Sequence, residues 1–356
     1  MFHRILVINP GSTSTKVGVY INEQPLCVST IRHTVEELMQ YEQIIDQHDF
    51  RQQLVIDWLK TNDIPFEFDA IIGRGGLIKP IPGGVYRVNR KMVYETYYAL
   101  RKHACNLGCI IAYELAKQQQ NGCKAYIADP VTVDELLPEA RVSGSPLMPR
   151  LAIWHALNQR AIARRYASEI GSQYEDLNLI ICHLGGGISI AAHQKGRAVD
   201  ANNALDGEGP LSPERAGTLP AADLIHLCYS GRYTEDQLKK RVAGQAGLMA
   251  HLGTTDILKI MQQVEAGDAH AKLLIDAMIF HTAKAIAAEG AVFSGQVDAI
   301  LITGGMAHSK YITQGIASRV KFIAPVHLFP GEDEMEALAL NALSVLRGEC
   351  VAKEYE

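Results

Sequence analysis

Ile5-Leu6-Val7-Ile8-Asn9-Pro10-Gly11-Ser12-Thr13-Ser14-Thr15-Lys16-Val17-Gly18-Val19-Tyr20-Ile21 is the stretch whose reading decides the fold. The aliphatic run Ile5 to Ile8 reads as a buried strand, a turn rich in Gly and hydroxyl groups interrupts it, and Val17 to Ile21 reads as the returning strand. Strand, tight turn, strand brings backbone N–H groups and small hydroxyls close to a phosphate. Gly11 lets the backbone approach, Ser12, Thr13 and Ser14 offer donors, and Lys16 offers a point charge. The spacing is not that of a P-loop, and no helix follows directly. A β-hairpin with a polar tip and no ligand is the other reading of the same residues.

Outward from that hairpin, Leu26 to Ile31 reads as a third strand and Val35 to Thr61 as a helical stretch. Ala70-Ile71-Ile72 is a short buried strand ending at Gly73-Arg74-Gly75-Gly76, and Pro80 to Gly84 must be an ordered loop. Helices are expected over Lys91 to Arg101 and Asn106 to Gln119, then a strand, Ala125 to Ala128, ending at Asp129-Pro130. The second half repeats the plan. A helix is expected from Leu151 to Glu169; a strand, Leu179 to Cys182, ends at His183-Leu184-Gly185-Gly186-Gly187; Ile188 to Ala192 returns, with a third strand near Ala198-Val199. Helices are expected at 220–229, 234–242, 255–265 and 269–291, a strand from Ala299 to Ile302 ending at Thr303-Gly304-Gly305, and a last helix from Asp333 to Leu346.

The same grammar therefore appears twice, which suggests two related α/β domains facing each other across a cleft. Residues 1–130 with a returning helix in 333–356 would form the first, and 131–332 the second. A chain of 356 residues can hold two such cores. Apolar residues at 47 % and charged residues at 21 % describe a soluble globular protein, expected in the cytoplasm. The formal net charge of −5 comes with no basic stripe, which argues against a nucleic-acid partner. No apolar run reaches the ~20 residues of a membrane span, and the aliphatic run near the start is too short for a signal peptide. The 7 cysteines are odd in number, scattered and free of a C-x-x-C pair, as for reduced thiols. Cys105 and Cys109 read as a buried apolar pair rather than a metal site.

Three Gly-bearing turns stand at strand ends, at 9–16, 183–187 and 303–305. Ligands of open α/β sheets lie at strand ends, so an internal repeat carrying three such turns points to a nucleotide held between the halves. None has the dinucleotide G-x-G-x-x-G spacing, which disfavours nicotinamide and flavin cofactors.

Taken together, Asn9 to Lys16, Arg74-Gly75-Gly76, Asp129, His155, Cys182 to Gly187, Arg215-Ala216-Gly217-Thr218 and Thr303-Gly304-Gly305 come in the order and spacing of the acetokinase family. The chain resembles that family from Ile5 to Arg347. Within it, Asn-Pro-Gly-Ser-Thr-Ser-Thr-Lys at 9–16, Gly186, Pro80 to Tyr86, Arg141 to Gly144 and Asn203 to Gly207 resemble the branch that phosphorylates butyrate. The resemblance implies two domains of the ribonuclease-H-like, actin-like ATPase fold, and transfer of the ATP γ-phosphoryl group to the carboxylate of a short-chain fatty acid. It also implies ATP/ADP and Mg²⁺ as cofactors, an acyl phosphate as the other partner, and a homodimer or higher homo-oligomer.

By the same resemblance Arg74 would bind the substrate carboxylate and Arg215 the transferring phosphoryl group, tasks that suit a planar fork able to bond two oxygens. His155 would donate to an equatorial oxygen; read without the resemblance, the favoured reading is a histidine in an amphipathic helix, beside Trp154 and Leu157. Gly11, Ser12, Ser14 and Lys16 would contact ATP phosphates, His183 with Gly185, Gly186 and Gly187 would shape a second phosphate loop, and Gly304 and Gly305 would admit the nucleoside. Asn9 and Glu334 match positions associated with Mg²⁺, while Glu332, Asp333 and Glu336 crowd the same turn. Asp129 is a proton donor or acceptor in the wider family. A fatty acid is already ionised at neutral pH, so Asp129 is expected instead to order metal-bound water or to hold Arg74 or Lys16. Propionate, acetate or a branched acid are the alternative substrates. A nucleotide-switched binding protein is the alternative class, and a sugar kinase a third reading; the set Arg74, Asp129, His155 and Arg215 favours an enzyme acting on an anion.

Overall fold

In the computed structural model, which describes residues 2–99 and 102–356, the opening stretch is a hairpin of strands Arg4–Pro10 (β1) and Ser14–Ile21 (β2). Ile5, Leu6, Val7 and Ile8 are all fully buried, which a strand achieves only when both faces of its sheet are covered. Gln24–Arg32 (β3) continues the meander antiparallel to β2 and forms one edge of the sheet. Ala70–Arg74 (β4) lies parallel to β1 on its other side. Val85–Arg87 (β5) and Lys124–Ala128 (β6) follow, β6 parallel to β4 and β5 antiparallel to β6. A two-residue strand, Lys353–Glu354, closes the seven-stranded sheet against β5.

One face of this sheet is covered by helix Asn106–Lys117, whose Leu107, Ile111 and Leu115 pack in a core with Leu6, Ile8 and Ile71. Burial of each such side chain stabilises the fold by roughly 1.5–3 kcal/mol. The helix meets β4 backbone to backbone. A Cβ on Gly73 would stand 2.0 Å from the Gly108 carbonyl oxygen, and one on Gly108 would stand 2.5 Å from that of Arg74. The opposite face is covered by helix Glu334–Leu346: Val7 pairs with Gly18, and Met335 lies 3.2 Å from where a Gly18 Cβ would be. The last helix thus returns to the first sheet.

The second sheet repeats the plan. Asn178–Leu184 (β7), Ile188–Gln194 (β8) and Arg197–Ala201 (β9) form an antiparallel meander. Ala299–Gly304 (β10) lies parallel to β7, and Val326–Pro330 (β11) parallel to β10. Helix Ala269–Glu289, capped by Asp268, buries Leu274, Ile275, Met278 and Ile286 among Ile180, Ile190 and Ile300. Helix Ala156–Glu169 packs Ile162 and Tyr166 against Leu179, Ile181 and Leu301. The chain divides into Met1–Val133 with Asp333–Glu356, and Asp134–Glu332.

Three expected helices differ. The stretch 35–61 is not continuous. Thr34 caps Val35–Leu38 through a capping box with Glu37, and the chain restarts at a 3₁₀ turn, Ile44–Gln47, before helix His48–Thr61. The helix expected over 91–101 runs Arg90–Tyr97, and Leu100 and Arg101 lie outside the described residues. The helix expected from Leu151 begins only at Ala156, because Ile153 is bridged to Asn203 and the His155 amide donates to Ser189. Short elements without a long periodic pattern, such as Gly247–Leu252 and strand β11, were not expected.

Among the described residues no helix is long and apolar enough to cross a membrane. All seven cysteines are free, and burial raises the thiols of Cys105 and Cys109 to about 11 and about 12, as befits packed side chains.

Candidate active site

The first unit gathers a charged group at the carboxyl ends of β1 and β4. Asn9, the penultimate residue of β1, donates from Nδ2 to Oε2 of Glu334 at 2.8 Å. Arg74, the last residue of β4, donates from Nη1 to the same oxygen at 2.8 Å. Alternation along β1 puts Asn9 on the face of Ile5 and Val7, the face that helix Glu334–Leu346 covers. Register then pairs Asn9 with Lys16 across the hairpin, and Lys16 is exposed. Glu334 is therefore the acidic residue of its turn that joins Asn9 and Arg74. Glu332 instead approaches His183, and Asp333 and Glu336 lie near Tyr20.

The glycines around Arg74 are there for room. A Cβ on Gly75 would stand 2.6 Å from Pro130, and one on Gly76 would stand 2.3 Å from Oδ1 of Asn106. Asp129 closes the neighbouring strand β6 in a left-handed conformation, φ +38°, that a non-glycine residue rarely adopts. Its amide donates to the Gly84 carbonyl at 3.0 Å, and its Oδ1 accepts from the Gly84 amide at 2.7 Å.

Arg51 was not expected here. It lies in helix His48–Thr61, fully buried beneath the turn between β1 and β2. Its guanidinium donates to the carbonyls of Gly11 at 2.7 Å, Ser12 at 3.2 Å and Ser14 at 3.2 Å, and to Oγ1 of Thr15 at 3.2 Å. Gln47 Oε1 accepts from Nε and Nη2. Burial lowers its pKa to about 10, which leaves it charged at neutral pH, with neutral oxygens as its hydrogen-bond acceptors. Engaging the carbonyls from below fixes the turn's backbone.

The second unit carries the other expected residues. At the end of β7, His183 donates from Nδ1 to Asn158 Oδ1 at 2.9 Å, and its Nε2 lies 3.1 Å from Glu332 Oε1. The His155 ring stacks on it, centroids 3.8 Å apart and planes 10° from parallel. The three glycines that follow vacate space for polar and charged side chains. A Cβ on Gly185 would stand 2.8 Å from His183 Nε2, one on Gly186 would stand 3.0 Å from Glu214 Oε1, and one on Gly187 would stand 2.2 Å from Arg215 Nη1. The loop carrying Arg215 is tied down by Ser212, whose hydroxyl donates to the Gly186 carbonyl at 2.6 Å. Arg215 itself donates to the Ala204 carbonyl at 2.5 Å, and burial lowers its pKa while Glu214 and Asp206 oppose the shift. Gly304 holds φ +93°, with the Leu184 carbonyl 2.4 Å from where a Cβ would be, and Gly305 is exposed with open space beside it.

The structure thus brings Asn9, Arg74 and Glu334 together, sets Lys16 beside Asn9, and brings His155, His183, Gly185 to Gly187 and Arg215 around one loop. Among the described residues no cluster of three or more His, Cys, Asp or Glu could cage a metal. Glu334 and the amide oxygen of Asn9 are oxygen donors of the hard type, and two of them fit an ion that keeps most of its water.

The chain is similar to known proteins over nearly its whole length. A family model described as the acetokinase family matches residues 152–324. A protein of Bacteroides thetaiotaomicron named probable butyrate kinase is 63 % identical over 99 % of this chain and 100 % of its own. One of the same name from Phocaeicola vulgatus is 50 % identical over 99 % of each. The crystal structure of Porphyromonas gingivalis acetate kinase superposes with a TM-score of 0.78 at 16 % identity, over 97 % of this chain and all of that one, which shows the same fold. With two α/β units of the actin-like ATPase fold and full-length relatives at this identity, the chain belongs to the acetokinase family of carboxylate-directed phosphotransferases.

Proposed function

We propose that the protein is a butyrate kinase, interconverting butyrate and ATP with butyryl phosphate and ADP. What carries the acyl chain is the name of the full-length relative at 63 % identity. The chemistry joins two anions, so positioning and neutralisation do most of the work. A butyrate oxygen attacks the γ-phosphorus, the bond to the β,γ-bridging oxygen breaks, and ADP leaves with that electron pair.

In this reading Arg74, aimed by its bond to Glu334, takes the carboxylate, and Arg215, braced by the Ala204 carbonyl, takes the transferring phosphoryl group. His155 donates to an equatorial oxygen. The turn Gly11 to Ser14 and Lys16 serve ATP phosphates, Gly185 to Gly187 a second phosphate contact, and Gly304 with Gly305 the nucleoside. Asn9 and Glu334 would hold Mg²⁺ through water, and the ion would offset charge on the phosphates. Asp129, engaged with Gly84, orders the site rather than acting as a base, because the nucleophile is already ionised. A cytoplasmic homodimer or larger homo-oligomer completes the proposal.

The test is kcat/KM with ATP and Mg²⁺ across acetate, propionate, butyrate, isobutyrate and valerate, trapping acyl phosphate as hydroxamate. Each buried methylene discriminates by ~0.8 kcal/mol, about fourfold, so a graded series is expected with its peak at butyrate. A peak at two or three carbons, or at the branched acid, would overturn the acyl assignment and keep the carboxylate kinase.

A further inference from the structure

His155 is joined to a buried chain of hydrogen bonds that determines which of its nitrogens carries the proton. Gln159, on the first turn of helix Ala156–Glu169, is fully buried, and its Nε2 donates to the Ser189 carbonyl at 3.1 Å. A carbonyl only accepts, so the amide cannot be turned the other way. Its Oε1 must then face His193, whose Nε2 lies 3.0 Å away. An amide oxygen also only accepts, so His193 is protonated at Nε2 and bare at Nδ1. That nitrogen accepts from the Tyr174 hydroxyl at 2.7 Å. Burial holds the His193 pKa well below its ordinary value, so the ring stays neutral and this order persists.

At the other end, the Ser189 hydroxyl accepts from Gln159 Nε2 at 2.9 Å and from the His155 amide at 3.3 Å. Both lone pairs are taken, and its one proton can go only outward. His155 Nδ1 stands 2.8 Å from Oγ. Ser189 therefore donates to Nδ1, and neutral His155 carries its own proton on Nε2.

The geometry points to Ser189, Gln159, His193 and Tyr174 as positioning residues that hold His155 as the Nε2–H tautomer, so that its donor is the N–H directed away from the protein scaffold of β8. This rests on the hydrogen bond to a phosphoryl oxygen given to His155 above and deepens it: a histidine that donates to a phosphoryl oxygen needs a fixed N–H, and the chain supplies the fixing. The parallel stack on His183 adds a geometric constraint, holding the ring plane while Ser189 sets its rotation.

The test uses full-length protein carrying ¹⁵N-labelled histidine, with the His155 signals identified by their loss in His155→Asn. Long-range ¹H–¹⁵N correlations report directly which nitrogen is protonated. Wild type is expected to show His155 and His193 both protonated at Nε2 and bare at Nδ1; an Nδ1–H form of His155 overturns the proposal whatever the enzyme does. Ser189→Ala is expected to mix the tautomers and lower kcat about a hundredfold with KM for ATP nearly unchanged, the size of effect a misplaced reacting group produces. Ser189→Thr, which keeps the hydroxyl, is expected to restore most of the rate and the single tautomer. Gln159→Met gives a second route to the same mixing, should Ser189→Ala fold poorly. Wild-type kcat in a variant whose tautomers are mixed would overturn the proposal. If wild type phosphorylates no carboxylate at all, the kinase assignment falls, while the tautomer result still stands or falls on its own spectrum.

Discussion

Arg51 is the buried cation beneath the first turn, and removing it tests whether that turn is built for phosphate. Arg51→Met keeps much of the side chain's volume and deletes the guanidinium. Six hydrogen bonds disappear, two to Gln47 and one each to Gly11, Ser12, Ser14 and Thr15. Their losses are unequal. The Ser14 carbonyl keeps the Gly11 amide at 2.7 Å, and Thr15 Oγ1 keeps His33. Ser12 is exposed, so water replaces its partner. The Gly11 carbonyl and the buried Gln47 Oε1 are left short, at about 1–3 kcal/mol for a buried acceptor. Relief from burying a charge offsets part of this. A net destabilisation of about 2–3 kcal/mol is expected, with Arg51→Lys intermediate because an ammonium reaches fewer of the oxygens. Steady-state kinetics should show KM for ATP rising about tenfold or more while KM for the carboxylate substrate stays put, since Arg74 lies at the end of another strand. Urea unfolding checks the first expectation and initial rates the second. Wild-type KM for ATP in a folded Arg51→Met protein would refute the idea that this cation organises a phosphate turn.

Gly187→Ala should lower kcat at least tenfold with little loss of stability, because its Cβ displaces only the tip of Arg215, whereas Gly304→Ala should destabilise by several kcal/mol, since φ is +93° and the obstacle is backbone; thermal melts beside initial rates separate the two. Asp129→Asn should reduce kcat without adding a new pH dependence, and recovery of rate at raised pH would show that a base had been lost. The pH dependence of stability should have two opposed limbs. Burial lowers His33 to about 4, so the unfolded chain binds more protons and stability falls as pH drops from about 6.5 to about 4. Burial raises Glu289 to about 8, so the native chain binds more protons and stability falls as pH rises from about 4.5 to about 8. His33→Gln should flatten the acid limb and Glu289→Gln the alkaline limb, each by about 1–2 kcal/mol, read from urea midpoints across pH.

What the sequence reveals and what it conceals follow one physical division. Local patterns are legible. Ile5 to Ile8 announces a strand covered on both faces, Gly11 to Ser14 a tight turn, and the repetition of that grammar at Ile180 to Ala191 a second sheet of the same design. Glycines are legible as spaces, although not what fills them: Gly187 makes room for Arg215 from a loop far along the chain, and Gly73 makes room for a helix. Side chains whose partners lie dozens of residues away leave no local trace. Arg51 carries no signal of its own within the helical stretch, since only the fold brings it under residues forty positions earlier. His155 reads as mid-helix, and only its bonds to Ser189 show that the helix starts after it. In the proposed reading the site is divided between two kinds of residue. Most of the groups offered to the anions stand in turns at strand ends and can be recognised by spacing, while those that hold them in place, such as Arg51, Gln159 and Ser189, are buried, polar and distant in sequence from what they hold. Substitutions of the second kind leave every motif of the family intact, so a chain can keep the family's signature and lose its rate. The Ser189, Gln159 and Arg51 variants are where that separation is expected to be measurable.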